Sequence, residues 1–271
     1  MRTPEELKEH YLIERELADR LRRADRTERA ALYGVLYDEL FRRVPRHPQL
    51  TRKQDAEARA KAVAVRLPLV GRFLRPETVF LEIGAGDASL CRAVAKHVRK
   101  CYALDVSREI LDLTGAQNLE PILSDGCSVP VPKGSITLAY SYQLMEHIHP
   151  DDAVDQLRNI FAALAPGGTY LCVTPNRLNG PHDISRFFDD AATGLHLKEY
   201  TVTELAKLFR AVGFSRIVPY VGLSHHYFRI SLTALVALEA LIALFPAQLR
   251  RRIWSLRGLQ NLLFISIAAV K

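Results

Sequence analysis

No C-x-x-C pair occurs in the 271 residues. The four cysteines, Cys91, Cys101, Cys127 and Cys172, stand apart in apolar settings. Neither a zinc site nor a disulfide framework is expected from that spacing; reduced, buried thiols in a cytoplasmic protein are. A membrane-spanning run is missing too. The most apolar stretch, Ile230 to Phe245, is 16 residues long and interrupted by Ser231, Thr233 and Glu239, whereas a bilayer needs about 20. The opening MRTPEELKEH is charged and helical, unlike a secretory signal. Charge of one sign is not concentrated either. The 37 basic and 30 acidic residues leave a net +7 and a pI near 9.3, but the basic residues are scattered, which reads as a solvated surface rather than a nucleic-acid site.

What is present fits a globular chain with a full core: 48% hydrophobic and 25% charged residues. Residues 1–75 read as an all-helical cap. Leu7, Tyr11, Leu17 and Leu21 recur at helical spacing, and Leu32, Leu36, Leu40 and Val44 form a second stripe that Asp25 or Thr27 can cap. Pro45 and Pro48 are expected to end that helix. A third helix is expected from about 51 to 66, with Pro68 and Pro76 breaking the chain after it. From residue 76 onward strands and helices alternate, which predicts an α/β domain with a parallel, doubly wound sheet. Strands are expected at 78–83, 100–106, 121–125, 136–142, 169–174, 214–221 and 261–270. Thr201 and Glu204 form a capping box for a helix that Gly213 ends.

The most informative stretch is Thr78-Val-Phe-Leu-Glu-Ile-Gly-Ala-Gly-Asp-Ala-Ser-Leu90. A buried strand runs into a tight turn at Gly84-Ala85-Gly86, and a helix opens behind it. Its free N–H groups suit a nucleotide-type ligand. A dinucleotide turn would read G-x-G-x-x-G, yet Ser89 holds the third glycine's place. An acid, Glu82, instead stands two residues before the first glycine. The segment Glu82-Ile-Gly84-Ala-Gly86 resembles motif I of the class I S-adenosylmethionine-dependent methyltransferases, with Ala88 where that motif usually has a further glycine.

Later positions fit the same pattern. Asp105-Val106 ends the second strand, where a carboxylate can accept hydrogen bonds from both ribose hydroxyls; nicotinamide enzymes share this feature. Asp125-Gly126 looks like the methyltransferase position that receives the adenine amino group. Ser141, Tyr142 and Gln143 resemble the stretch lining the methionine moiety. Leu-Ala-Pro-Gly-Gly at 164–168 matches a further hallmark. The resemblance spans 78–175 and implies a Rossmann-like, seven-stranded sheet with an antiparallel last strand, and S-adenosyl-L-methionine as cofactor.

Two regions carry candidate chemistry. An activated methyl needs alignment with its acceptor, and a hydroxyl acceptor also wants a base. Met145-Glu146-His147-Ile148-His149 lies just beyond the fourth strand and resembles the L-E-H segment of ubiquinone-biosynthesis and type 11 small-molecule methyltransferases. His147 is the first candidate base and His149 the second; the bland reading is that Glu146 and His147 only fasten the loop. A metal site from Glu146, His147, His149 and Asp151 is not expected, since these residues do not obviously converge. Residues 176–200 form the expected substrate loop, with His182, Arg186, Phe187, His196 and Tyr200 as candidate contacts for a polar or anionic substrate with an apolar portion.

The reading is a methyltransferase acting on a hydroxyl or carboxyl of a small molecule, lipid- or sugar-containing. Base methylation of nucleic acid is disfavoured, because Ser141-Tyr-Gln-Leu replaces the D/N-P-P-Y/F segment. Rival readings are an NAD(P)-dependent oxidoreductase and a non-catalytic S-adenosylmethionine-binding protein. Residues 224–260 read as a helical insertion. The apolar face of 229–257 needs cover, from the N-terminal helices, from a second copy in a homodimer, or from a peripheral membrane contact at the inner face with Trp254 and the arginines at the headgroups.

Overall fold

Strand β1 (Val79–Ile83) is buried along its whole length. Alternate side chains pass to opposite faces: Leu81 and Ile83 join one apolar cluster, Phe80 the other. In this computed structural model, which describes residues 2–112, 114, 117–223, 226–254 and 264–271, β1 lies mid-sheet. It pairs in parallel with β2 (Lys100–Asp105) and β4 (Ile136–Tyr142). Beyond them come β3 (Leu119–Leu123), parallel to β2, and β5 (Leu164–Thr174), parallel to β4. The last strand, β8 (Ile265–Val270), runs antiparallel to both β5 and β6 (Arg216–Leu223). A hairpin partner, β7 (His226–Arg229), closes the order β3-β2-β1-β4-β5-β8-β6-β7. The chain leaves β1 toward β3, then returns on its other side through β4. Such a reversal opens a crevice at the carboxyl ends of β1 and β4.

Helices cover both faces. One cluster unites Leu17 and Leu21 of α1 (Pro4–Arg23), Leu36 and Leu40 of α2 (Arg26–Arg43), Leu157 and Ile160 of α6 (Pro150–Ala163), and Leu205 and Phe209 of α7 (Val202–Val212). Opposite lie α4 (Ala56–Val70) and α5 (Ser89–Ala95), through Leu69, Val70, Leu90 and Val94. The N-terminal helices are fastened to α6 and to the loops beyond the sheet by polar contacts. Arg29 forks onto Asp152 with Nε–Oδ2 2.6 Å and Nη2–Oδ1 2.7 Å, and the Tyr33 hydroxyl donates to the same carboxylate at 3.0 Å. The Ser107 hydroxyl donates to Asp38 at 2.6 Å, and Arg22 reaches the carbonyls of Thr193 and Gly194.

Several expectations change. The sheet has eight strands among the described residues, because the start of the expected helical insertion folds into β7 instead. Pro48 does not end a helix but opens α3 (Pro48–Gln54) at its first turn, where a missing N–H costs nothing. Pro68 sits inside α4, one turn before the capping Gly71. The single third helix is thus two, α3 and α4, with Asp55 capping the second through the N–H groups of Glu57 and Ala58. The insertion continues as α8 (Leu232–Ala243) and α9 (Ala247–Trp254). The first three residues of the expected strand 261–270, and the side chains of Arg251, Arg252 and Trp254, lie outside the described residues.

Candidate active site

The glycine turn after β1 adopts left-handed backbone at Gly84 (φ 71°), Gly86 (φ 58°) and Ala88 (φ 56°). Ala88 therefore takes the conformation of the glycine that motif I usually has there. The cost is about 1–2 kcal/mol for a side chain. Its methyl is wholly buried against α5. The turn is tied to β2: Gly84 and Ala85 N–H both donate to the Leu104 carbonyl, at 2.8 and 2.9 Å. Gly86 N–H donates to Asp105 Oδ2 at 2.7 Å, and Ser107 N–H to Oδ1 at 3.0 Å. Burial pushes the Asp105 carboxyl up to about 6, against the pull of those N–H groups.

These groups line a cavity of about 330 Å³ at the carboxyl ends of β1, β2 and β4. Gly84, Ala85, Gly86, Asp105, Val106, Gly126, Gln143 and His147 all reach it. Its other wall comes from the N-terminal helices: Tyr33, Tyr37 and Phe41 of α2, Arg52 of α3, and Val65 and Arg66 of α4. A Cβ on Gly86 would project into the cavity, with Arg52 Nη2 its nearest neighbour at 4.0 Å. A Cβ on Gly126 would stand 2.8 Å from the Tyr33 ring, so that glycine lets α2 approach. Arg52 Nε is buried without a hydrogen-bond partner, and burial lowers the guanidinium pKa. An enclosed carboxylate at one place, a guanidinium near the glycine turn whose Nε has no partner among the described residues, and apolar Leu104, Val106 and Ile110 at and beyond the end of β2 match a nucleoside carrying an amino-acid tail.

Other expected cofactor residues stand behind this lining. Glu82 is buried beneath it, accepting from Arg66 at 3.0 Å and from the Cys91 thiol at 3.1 Å; burial raises it to about 6. Asp125 turns its Oδ1 to the N–H groups of Cys127 and Ser128, holding the loop that carries Gly126. Ser141 is buried, its hydroxyl 2.7 Å from that of Tyr170.

His147 ends a short 3-10 turn, Met145–His147. Its Nδ1 lies 3.0 Å from the Leu195 carbonyl and 2.9 Å from the Tyr37 hydroxyl. A carbonyl only accepts, so Nδ1 carries the hydrogen and Nε2 keeps a lone pair. Burial, reinforced by His196, pushes the imidazole down to about 3, and the ring is neutral. His196 packs edge-on against it with centroids 4.8 Å apart, and its Nδ1 holds Glu199 at 2.7 Å. Burial works against charge on His196, but the Glu199 hydrogen bond and the carboxylate of Glu146 raise its pKa overall. Glu146 is itself pushed up to about 7 by burial; Oε2 accepts from the Thr174 hydroxyl and Oε1 has no partner.

His149 lies apart from the cavity as the cap of α6, its Nδ1 accepting from Asp151 N–H. The loop 176–200 also stays outside the lining. His182 bonds within its own loop to Asn176 and Asn179. Arg186 lies over the Phe187 ring on the surface. Tyr200 is buried, with Asn176 beside it in an isolated bridge. His196 is the member that approaches the site, and it also lines a second cavity of about 320 Å³ between this loop and the start of α9. Among the described residues, Glu146, His147 and His196 bring ligand-type atoms within 4.8 Å of one another, as do His10, Glu14 and His47. His149 and Asp151 join neither group.

Sequence reasoning missed the aromatic wall and the two arginines. Tyr33, Tyr37 and Phe41 recur every four residues, so α2 carries apolar side chains on two faces. That double stripe was the available signal.

Comparison with known proteins agrees with this geometry. Residues 51–218 match the family described as "Methyltransferase domain". A probable S-adenosylmethionine-dependent methyltransferase of Mycolicibacterium smegmatis is 26% identical over 136 residues, 49% of this chain and 51% of that protein. The match thus spans about half the length of that curated relative. Among solved structures, an S-adenosylmethionine-dependent methyltransferase from Archaeoglobus fulgidus superposes with a TM-score of 0.54 at 16% identity, covering 82% of this chain and 98% of the other. Haemonchus contortus phosphoethanolamine N-methyltransferase 2, solved with S-adenosyl-L-methionine, gives 0.53 at 18% identity, covering 76% and 51%. At these identities the structural likeness establishes the fold.

Proposed function

Since the chain belongs to the methyltransferase-domain family and uses S-adenosyl-L-methionine, we propose that it methylates a hydroxyl group of a small molecule with His147 as general base. The observation that carries this reading is the neutral imidazole in the cavity wall, its Nδ1–H occupied by the Leu195 carbonyl and its Nε2 left to accept. A carboxylate acceptor would need no such base; a hydroxyl loses a proton as its new C–O bond forms. When bound, the cofactor supplies a methyl group already activated on a sulfonium. Asp105 accepts from the ribose hydroxyls, Arg52 pairs with the methionine carboxylate, and the turn Gly84–Gly86 lets the backbone approach. Glu82 acts at one remove by holding Arg66, and Asp125 by shaping the loop of Gly126. Tyr37 and His196 fix the His147 ring, and the roof of α2–α4 excludes water from the proton transfer. Of the loop 176–200, His196 is the member that reaches the base, packing edge-on against the His147 ring. The nicotinamide reading is dropped with the family assignment.

The test separates binding from turnover. S-adenosylhomocysteine release would be followed with a panel of alcohols, phenols and carboxylic acids, alongside calorimetry with S-adenosylhomocysteine. His147→Ala should leave cofactor binding near wild type and slow methylation of hydroxyl acceptors by roughly 10²–10⁴-fold. Turnover confined to carboxylic acids, or unchanged in His147→Ala, sinks the hydroxyl reading.

A further inference from the structure

Helix α8 carries one charged residue, Glu239, and hides it. Glu239 Oε1 accepts from Asn176 Nδ2 and from Val202 N–H, both at 2.7 Å, while Oε2 accepts from the Thr203 N–H and hydroxyl at 3.0 Å. The carboxylate thus sits on the first turn of α7, where free N–H groups favour negative charge. Turning the acid inward leaves an outward face with almost no polarity. Leu238, Leu241, Leu244, Phe245 and Leu249 are exposed, Leu241 at 60% and Leu244 at 80%. An exposed apolar surface of this kind marks a contact site. At its end the sequence reads Arg250-Arg251-Arg252, on a chain of net charge +7.

We infer that the outward face of α8 and the start of α9 form a monotopic docking surface for an anionic lipid bilayer, with the leucines and Phe245 at the acyl boundary. Two features favour lipid over a second copy of the chain. Two copies of a chain of net charge +7 repel one another, whereas anionic headgroups attract it. The apolar face also lies directly against its basic run in sequence, the order expected of an interfacial helix. Among the described residues no helix is long and apolar enough to cross a membrane, so the contact lies in the plane of the interface.

The experiment is co-sedimentation of the full chain with vesicles of pure phosphatidylcholine and of phosphatidylcholine mixed with phosphatidylglycerol, at low and high salt. The wild-type chain should pellet with the mixed vesicles, less so at high salt, and stay in solution with pure phosphatidylcholine. The double variant Leu241→Ser, Leu244→Ser removes two exposed side chains, should keep the wild-type melting temperature, and should bind mixed vesicles at least about tenfold more weakly. Failure of the wild-type chain to bind mixed vesicles at low salt overturns the inference, as does equal binding by the double variant. A concentration-dependent dimer that the double variant disperses, seen by light scattering without vesicle binding, assigns the face to a second copy and overturns it as well. Because binding is read without turnover, the outcome does not depend on the acceptor chemistry proposed above.

Discussion

Asp105 is the residue where a pH effect is sharpest. Its carboxyl is raised to about 6 by burial, and the ribose contact proposed for it requires the ionised form. The bound state therefore prefers the deprotonated group, and affinity is full above that value and lost as pH falls through it. Calorimetry with S-adenosylhomocysteine should show binding weakening by up to about tenfold per unit below pH 6. Asp105→Asn should bind more weakly at pH 8 and lose the dependence; an unchanged slope in that variant would remove Asp105 from the ligand. His147 behaves differently. Its ring, already held near 3, stays neutral across the same window, so its protonation contributes no acidic limb near 6.5. That Asp105 and His147 line the cavity was legible in the sequence, because each ends or follows a strand whose local pattern is strong. Arg52 was not, since nothing near it in sequence reveals that α3 turns it toward the glycine loop.

Among the elements, the joint between α2 and α6 is the most consequential. Arg29 and Asp152 form a buried, two-point ion pair with side chains only 4% and 2% exposed. Asp152→Ala removes the two-point carboxylate partner of a buried guanidinium, leaving it the Ala24 carbonyl and Asp151 at 3.8 Å, and leaves the Tyr33 hydroxyl without its acceptor. Destabilisation of about 3–5 kcal/mol is expected, read as a lower urea midpoint. A loss below about 1 kcal/mol would mean that the N-terminal helices contribute little to the cooperative unit. Caps were legible: Asp25, one of the two residues expected to open α2, does so, and Thr201 with Glu204 forms the expected capping box on α7. The prolines misled: Pro48 begins a helix and Pro68 is accommodated within one, because proline forbids only particular helix positions. At the far edge, the pattern gave helix where β7 forms, since an edge hairpin partner is decided by the strand it finds.

At the scale of the whole molecule, the cavity belongs to no single stretch. Its floor comes from strand ends, its roof from α2, α3 and α4, and contacts such as Tyr37 to His147 join residues 110 apart. A floor built of local strand–turn–helix units can be read from sequence; a roof held by such distant contacts cannot. Loading the site should therefore protect the roof. Trypsin cleavage at Arg52, Lys53 and Arg59 should slow markedly with S-adenosylhomocysteine at about 100 times its Kd, where linkage adds about 2.7 kcal/mol. Equal cleavage rates with and without ligand would place the ligand away from α3 and α4. The distance between Arg29 and Asp152 also matters while the chain is being made. The guanidinium emerges from the ribosome 123 residues before its carboxylate, on the order of ten seconds earlier at ordinary elongation rates. Until β1 to β4 and α6 have followed, the greasy sides of α1 and α2 lack the surface they pack on, and the cofactor pocket, lined from Tyr33 to Gln156, is incomplete until Gln156 has emerged.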